Sequence, residues 1–388
     1  MFEYFPTNYV WNLATNLALG GGALMGEIDD ICRGLRDASL RNDDSAQEQW
    51  FDAWNKLGQR VEAQGRADAA AGHEISAGRK LLRAFVYFQN AERMAHPKDP
   101  RKPVAYQRML DCFRTGARFR GEPIEWVEIP YEGRSMPALF IPADGAPRAP
   151  CMLHFDGLDV MKEWIYLSGV ALELRRRGVS TLIVDHPGVG EALRLREMHA
   201  TPQIERAAKA SLDYLEKRVD VDANRVGIMA LSLGGYYAPR VAAFEKRIKC
   251  CIAWGAMWNW HDTVVARLNP SSTTKPSVSH FGEHLQWVFG RRTIEEVLEI
   301  TRHFTHEKTA ANITCPLLLV HGENDRQIPL IDAERMYNAA VNSSRRELKV
   351  FRLAETGAEH CQADNGSLAI DYMTDWAAEV LGGRVKRA

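Results

Sequence analysis

The chain has 388 residues, enough for one large domain or a domain with a sizeable appendage. Its 46% hydrophobic, 26% charged and 9% aromatic content is an ordinary globular balance, which excludes the disordered, collagenous and disulfide-scaffold classes. With 49 Lys+Arg against 50 Asp+Glu the formal net charge is -1, so no basic field draws in a polyanion, and neither nucleic acid nor a membrane surface is expected as a partner.

At the amino terminus, MFEYFPTNYVWNL carries no basic region and no small-residue cleavage site. The apolar stretch 10–25 is interrupted by Asn12, Asn16 and three glycines, so neither a signal peptide nor a membrane span is expected. From about residue 26 to 119, Ala, Arg, Glu, Gln and Leu dominate and apolar residues fall at helical spacing, as at Ile75, Leu82, Phe85 and Phe88. Residues 1–123 are therefore expected to be helical, with helix ends at His96-Pro97 and at Arg101-Lys102-Pro103. At Ile124 the pattern changes to short β-rich runs at 126–129, 137–141 and 149–154. Helical and β-rich segments then alternate: a helix over 162–177, a strand over 180–184, a helix over 200–218 and a strand over 226–229. A helix from Gly234, strands at 250–253, 317–320 and 348–351, and a closing helix over 368–380 complete the series. Such alternation predicts an α/β fold with a doubly wound, mostly parallel sheet covered on both faces, over residues 124–388. Residues 257–311 break the alternation and read as an insertion above the carboxyl edge of the sheet. The seven cysteines include no CxxC pair, and their odd number predicts buried thiols in a reducing compartment, the cytoplasm.

Between an expected strand and an expected helix stands Ala230-Leu231-Ser232-Leu233-Gly234-Gly235, the context of a nucleophile elbow, whose sharp turn needs small residues around the serine. Ala230 replaces the first glycine of G-x-S-x-G. Two later strand ends supply the partners in the order this fold requires: HGENDRQIP, with Asp325, follows 317–320, and ETGAEHC, with His360, follows 348–351. His360 is expected to take the proton of Ser232, and Asp325 to hold the imidazole tautomer; Glu323 and Glu359 are the competing carboxylates. An oxyanion hole needs two N–H donors, one from Leu233 and one from the loop after the 149–154 strand, at Asp156 or Gly157. The loop DHPGVGE after 180–184 lacks a phosphate-binding pattern and is expected to be a tight structural turn.

Together ALSLGG, HGENDRQIP, AEH, DGLDVMKE and DHPGVGE resemble the α/β-hydrolase superfamily over about residues 125–381. The GLD-x-x-KE segment at 157–163, CIAWGA at 251–256 and the helical amino-terminal part resemble its branch of 2,6-dihydropseudooxynicotine hydrolase, fungal polyketide-shortening hydrolases and FrsA-like proteins. The resemblance implies hydrolysis of a carbon–carbon bond next to a ketone in 1,3-dicarbonyl-type compounds, or of esters. It also implies no metal, no cofactor, a homodimer and a helical cap. Carboxylesterase or lactonase action on aromatic or polyketide-like esters, an acyltransferase, and a non-catalytic FrsA-like binding module are the alternatives. The additional glutamate of that branch has no match here, and Asp262 is the nearest acid.

Trp258, Trp260, Phe281 and Trp287 are expected to line a pocket for an apolar or aromatic small molecule, and Phe5, Tyr9, Trp11 and Tyr87 to supply further aromatic surface. His280 with His284, and His303 with His306, have no further ligand at metal-motif spacing and are expected on solvated faces.

Overall fold

The computed structural model describes residues 1–386 apart from 42, 146 and 270; Pro270 of the expected insertion and the last two residues of the expected core lie outside the described residues. The chain folds as two units, one comprising 1–123 with 276–284 and the other 124–275 with 285–388.

The first unit is helical: α1 (Tyr9–Gly20), α2 (Met25–Cys32), α3 (Arg36–Arg41), α4 (Asp44–Ala70), α5 (Glu74–Met94) and α6 (Arg101–Arg120). Helix α1 begins well before residue 26, because Asn8 accepts a cap hydrogen bond from the Trp11 amide and Asn12 and Asn16 bond to backbone at Phe5 and Phe2. The asparagines that break the apolar run in sequence therefore anchor the helix. Pro103 starts α6 where an end was expected; in the first turn its missing N–H costs no helical bond. Leu82, Phe85 and Phe88 are buried as their spacing predicts, whereas Ile75, in the first turn of α5, is 72% exposed.

The core of this unit is an aromatic stack in which Trp50 lies 4.7 Å from Trp11 and 5.1 Å from Trp54, with Phe5 and Tyr87 at its two ends. Phe5, Trp11 and Tyr87, expected from the sequence to supply aromatic surface for a ligand, are packing, and Tyr9 is buried as well. Trp50 is fully buried and its indole N–H donates to the Asn90 carbonyl at 2.9 Å. Trp50→Ala should destabilise this unit by about 3–5 kcal/mol, since it removes both the buried area and the hydrogen bond. A thermal unfolding midpoint equal to that of the native chain would contradict this packing role.

The expected insertion is divided by the fold. Residues 276–284 pack with the helices: the Ser279 hydroxyl donates to Gln47 Oε1 at 2.7 Å and an Arg93 N–H donates to the Ser277 carbonyl at 3.0 Å.

The second unit is built on an eight-stranded sheet: β1 (Glu125–Tyr131), β2 (Arg134–Ile141), β3 (Ala149–Phe155), β4 (Ser180–Val184), β5 (Val221–Leu231), β6 (Ile248–Trp254), β7 (Leu317–Gly322) and β8 (Arg346–Phe351). Their order is β1-β2-β4-β3-β5-β6-β7-β8; β2 pairs antiparallel with both β1 and β4, and the pairs from β4 through β8 are parallel. β3, β4 and β7 are buried along their whole length, as strands covered by helices on both faces must be. The helices of this unit are α7 (Lys162–Leu167), α8 (Val170–Arg176), α9 (Gly190–Arg194), α10 (Glu205–Leu215), α11 (Gly234–Phe244), α12 (Trp260–Leu268), α14 (Ile294–Thr301), α15 (Leu330–Ala339) and α16 (Gly366–Leu381), together with the part of α13 (Phe281–Phe289) from residue 285 onward. The single helix expected over 162–177 is two, parted at Gly169, whose φ of 90° lies in the left-handed region. Among the described residues no helix is long and apolar enough to cross a membrane.

Candidate active site

Ser232 stands between β5 and α11 with φ 60°, a backbone conformation that costs a non-glycine residue of order 1–3 kcal/mol. Two hydrogen bonds hold the turn: the Ser232 N–H donates to the Trp254 carbonyl at 2.8 Å, and the Gly235 N–H to the Ser232 carbonyl at 2.7 Å. Ala230 fits at the first motif position because Gly234 faces it; a Cβ on Gly234 would stand 2.5 Å from the Ala230 methyl.

The ends of β7 and β8 bring the other two residues to this serine. His360 Nε2 lies 2.9 Å from Ser232 Oγ, and His360 Nδ1 lies 2.8 Å from Asp325 Oδ2. Asp325 Oδ1 accepts from the Gln327 and Ile328 amides at 2.8 and 2.9 Å, so backbone fixes the carboxylate before it meets the imidazole. Because the carboxylate accepts at Nδ1–H, Nε2 presents its lone pair to the serine hydroxyl. Burial opposes charge on the His360 ring, but the facing Asp325 carboxylate, helped by Cys361, overrides it and pushes the imidazole up to about 10. Burial likewise opposes ionisation of Asp325, and the imidazole, with lesser help from His321 and the Ile328 amide, holds it down at about 2.

The competing carboxylates are engaged elsewhere. Glu323 accepts from Arg352 and from the Leu353 amide, both at 2.9 Å, and Glu359 is held by Asn324 and Arg326. Asp262 is exposed in the first turn of α12.

Of the two residues proposed for a second oxyanion donor, Gly157 adjoins the serine; a Cβ placed on it would stand 2.9 Å from Ser232 Cβ and 3.4 Å from Oγ. Among the described residues, no acceptor in the chain takes the Leu233 or Gly157 N–H. Asp156 is wholly buried, its carboxyl without a hydrogen-bond partner among the described residues and held well above the usual range by burial and then by Asp185 and Glu163.

The four pocket aromatics do not share one environment. Trp260 is fully buried against Phe289 and Phe304, with ring centroids 5.5 and 5.1 Å away, and forms core where a pocket wall was expected. Phe281 is buried in the stretch that belongs to the helical unit. Trp258 and Trp287 are half-buried, the first with its N–H donated to the buried Asp332 at 3.1 Å and the second under the Arg194 guanidinium. The histidine pairs are divided: His303 is exposed and His280 half-buried, whereas His306 is fully buried, its ring nitrogens 3.1 Å from the Tyr236 carbonyl and 3.0 Å from Thr309 Oγ1, and His284 is buried.

Two features escaped sequence reasoning. Five of the seven cysteines are buried as expected, but Cys361 is half-exposed and its Sγ lies 3.6 Å from His360 Nε2, the nitrogen that faces Ser232. Its position directly after His360 is visible in the sequence; its φ of 46°, which turns the thiol back onto the ring, is not. The second is a buried charge cluster around Lys162, for which the KE pair after GLD-x-x was the available signal.

A strained serine between a parallel strand and a helix, meeting an aspartate after β7 and a histidine after β8, on a sheet of this order, defines an α/β-hydrolase. The sequence profile of the esterase FrsA-like family matches residues 45–270, and that of the prolyl oligopeptidase family matches 206–384. The protein is similar to 2,6-dihydropseudooxynicotine hydrolase of Paenarthrobacter nicotinovorans, at 27% identity over 334 residues, 86% of this chain and 84% of that one. It is also similar to the hydrolase LUC6 of a Fusarium species, at 26% identity over 99% of both chains. The crystal structure of 2,6-dihydroxy-pseudo-oxynicotine hydrolase shares the fold, with a TM-score of 0.76 at 24% identity over 96% of this chain and 98% of that one. The chain belongs to the esterase FrsA-like family, and it is a hydrolase.

Proposed function

We propose that this hydrolase works through an acyl-enzyme on Ser232, with His360 as base, Asp325 as its orienting carboxylate, and cleaves a carbon–carbon bond next to a ketone in an apolar or aromatic 1,3-dicarbonyl-type small molecule. The observation that carries the reading is the unbroken hydrogen-bonded chain Ser232–His360–Asp325 at 2.9 and 2.8 Å. His360 Nε2 takes the serine proton as Oγ adds to the carbonyl carbon, and the oxyanion is received by the Leu233 and Gly157 N–H groups. Collapse expels an enolate, which the second carbonyl stabilises and the imidazolium protonates. Water, deprotonated by the same nitrogen, then releases the acid and restores the serine.

The substrate class is supported by the relative named for hydrolysis of 2,6-dihydropseudooxynicotine. The family's description as esterase-like favours the second reading, cleavage of aromatic or polyketide-like esters, in which an alkoxide leaves. Trp258 and Trp287, half-buried, are the aromatic side chains proposed to meet the substrate. The helical unit is proposed as cap and dimerisation region of a cytoplasmic homodimer, a setting supported by seven free thiols.

The experiment is product analysis on a panel of aryl esters and aryl 1,3-diketones. Diketone cleavage to one ketone and one carboxylic acid, with kcat/KM at least tenfold above that for the esters, is the expected result. Turnover of esters alone would replace it with the esterase reading.

A further inference from the structure

Glu163, Asp185 and Glu191 place three buried carboxylates within 4.8 Å of one another, the donor set of a cation site. The cation is the chain's own: Lys162 Nζ lies 2.7 Å from Glu163, 2.8 Å from Asp185 and 2.6 Å from Glu191, itself fully buried. Asp185 does more than pair. Its Oδ1 accepts from the Lys162 backbone N–H at 2.9 Å, and its Oδ2 accepts from Lys162 Nζ and from the Glu191 N–H, both at 2.8 Å. Asp185 fills the space beside Gly190 so fully that a Cβ there would stand 2.0 Å from its carboxyl carbon. The next residue, His186, brings Nε2 to 3.3 Å from the Asp156 carbonyl oxygen, so two consecutive residues after β4 meet both ends of the segment 156–162.

That segment carries Gly157, which abuts Ser232. A buried ion cluster adds little net stability over apolar packing, but its directional bonds fix the relative position of the loops it joins. What this one joins is the loop after β4 and the loop that bears the second oxyanion donor.

We propose that Asp185, acting through Lys162, is the positioning residue of that donor, holding segment 156–162 so that the Gly157 N–H stays aimed at the oxyanion formed at Ser232. The proposal rests on the serine-hydrolase reading above. It makes the cluster matter to the transition state more than to substrate binding, because the ground-state carbonyl needs the donor less than the oxyanion does.

The test compares Asp185→Asn with the native protein in four measurements: the fraction of sites titrated by a fluorophosphonate, thermal midpoint, kcat and KM on an aryl ester, and Ki for an aryl trifluoromethyl ketone, whose hemiketal oxyanion occupies the donors. Expected are a full titre, KM within about twofold, kcat reduced roughly 10- to 100-fold, and Ki weakened by the same factor. Should Asp185→Asn not fold, Gly190→Ala displaces the same carboxylate without changing charge, and the same parallel loss of kcat and inhibitor affinity is expected. The proposal is overturned if a fully titrated variant keeps kcat and Ki within twofold, or if kcat per titrated site is native while titre and midpoint fall. No adduct on Ser232 in the native protein would overturn the serine-hydrolase reading itself and the positioning role with it.

Discussion

Replacing Ser232 by alanine should lower kcat by roughly 10³- to 10⁶-fold and abolish the fluorophosphonate adduct, while the protein stays folded. The size follows from the geometry. The hydroxyl is the atom 2.9 Å from His360 Nε2, and no other side-chain oxygen is held to that nitrogen by a hydrogen bond among the described residues. Residual turnover would come from the Leu233 and Gly157 amides acting on water attack. Loss of the hydroxyl removes one hydrogen bond at a strained position, so stability should change by no more than about 1 kcal/mol. An intact-mass spectrum with an undiminished adduct on the alanine variant would move the nucleophile elsewhere, and Cys361, with Sγ 3.6 Å from the same nitrogen, is the residue to test next.

Asp325→Asn should be nearly as severe, at roughly 10²- to 10⁴-fold in kcat/KM, for a different reason. The asparagine oxygen can keep the bonds from the Gln327 and Ile328 amides, which turns its NH₂ toward His360 Nδ1. That nitrogen must then accept, the proton moves to Nε2, and the base facing Ser232 is lost. A pH profile separates this from simple damage. In the proposed mechanism the neutral imidazole is the active form, so kcat/KM rises with pH through the His360 pKa, which the Asp325 carboxylate raises above its ordinary 6.5. The acid limb of the native profile should therefore lie above that value, and removing the carboxylate should move it to lower pH. An unshifted limb in an otherwise folded variant would assign the orienting role to another group.

Much of the site was readable along the chain because its signals are local. A serine among small residues after a β-rich run, then a carboxylate and a histidine each after a later strand, are short patterns. A parallel sheet carries those strand ends to one edge whatever the intervening segments do. Readings that needed partners far apart in sequence fared worse. Residue type alone could not separate a ligand-facing aromatic from a core aromatic at Trp11 and Tyr87, and the fold stacks both with Trp50 and Trp54. His306 had the spacing of a surface histidine and is buried on the Tyr236 carbonyl, 70 positions away in the chain. Lys162 read as the start of a helix and Asp185 as part of a tight turn; only their meeting makes a cluster.

The sequence by itself determined the class of fold, the strand–serine–helix turn and the order in which Asp325 and His360 follow it, since strand, turn and helix propensities act over a few residues. The tertiary structure decided which of Asp325, Glu323 and Glu359 faces the imidazole, because each stands within a few residues of a strand end or of His360 and they differ in the direction in which the backbone and their neighbours hold them. It also decided that 276–284 pack with the helical unit and that the Lys162 ammonium sits among the three buried carboxylates of Glu163, Asp185 and Glu191. Those outcomes depend on packing and charge compensation between segments distant in the chain, which no short stretch of sequence encodes.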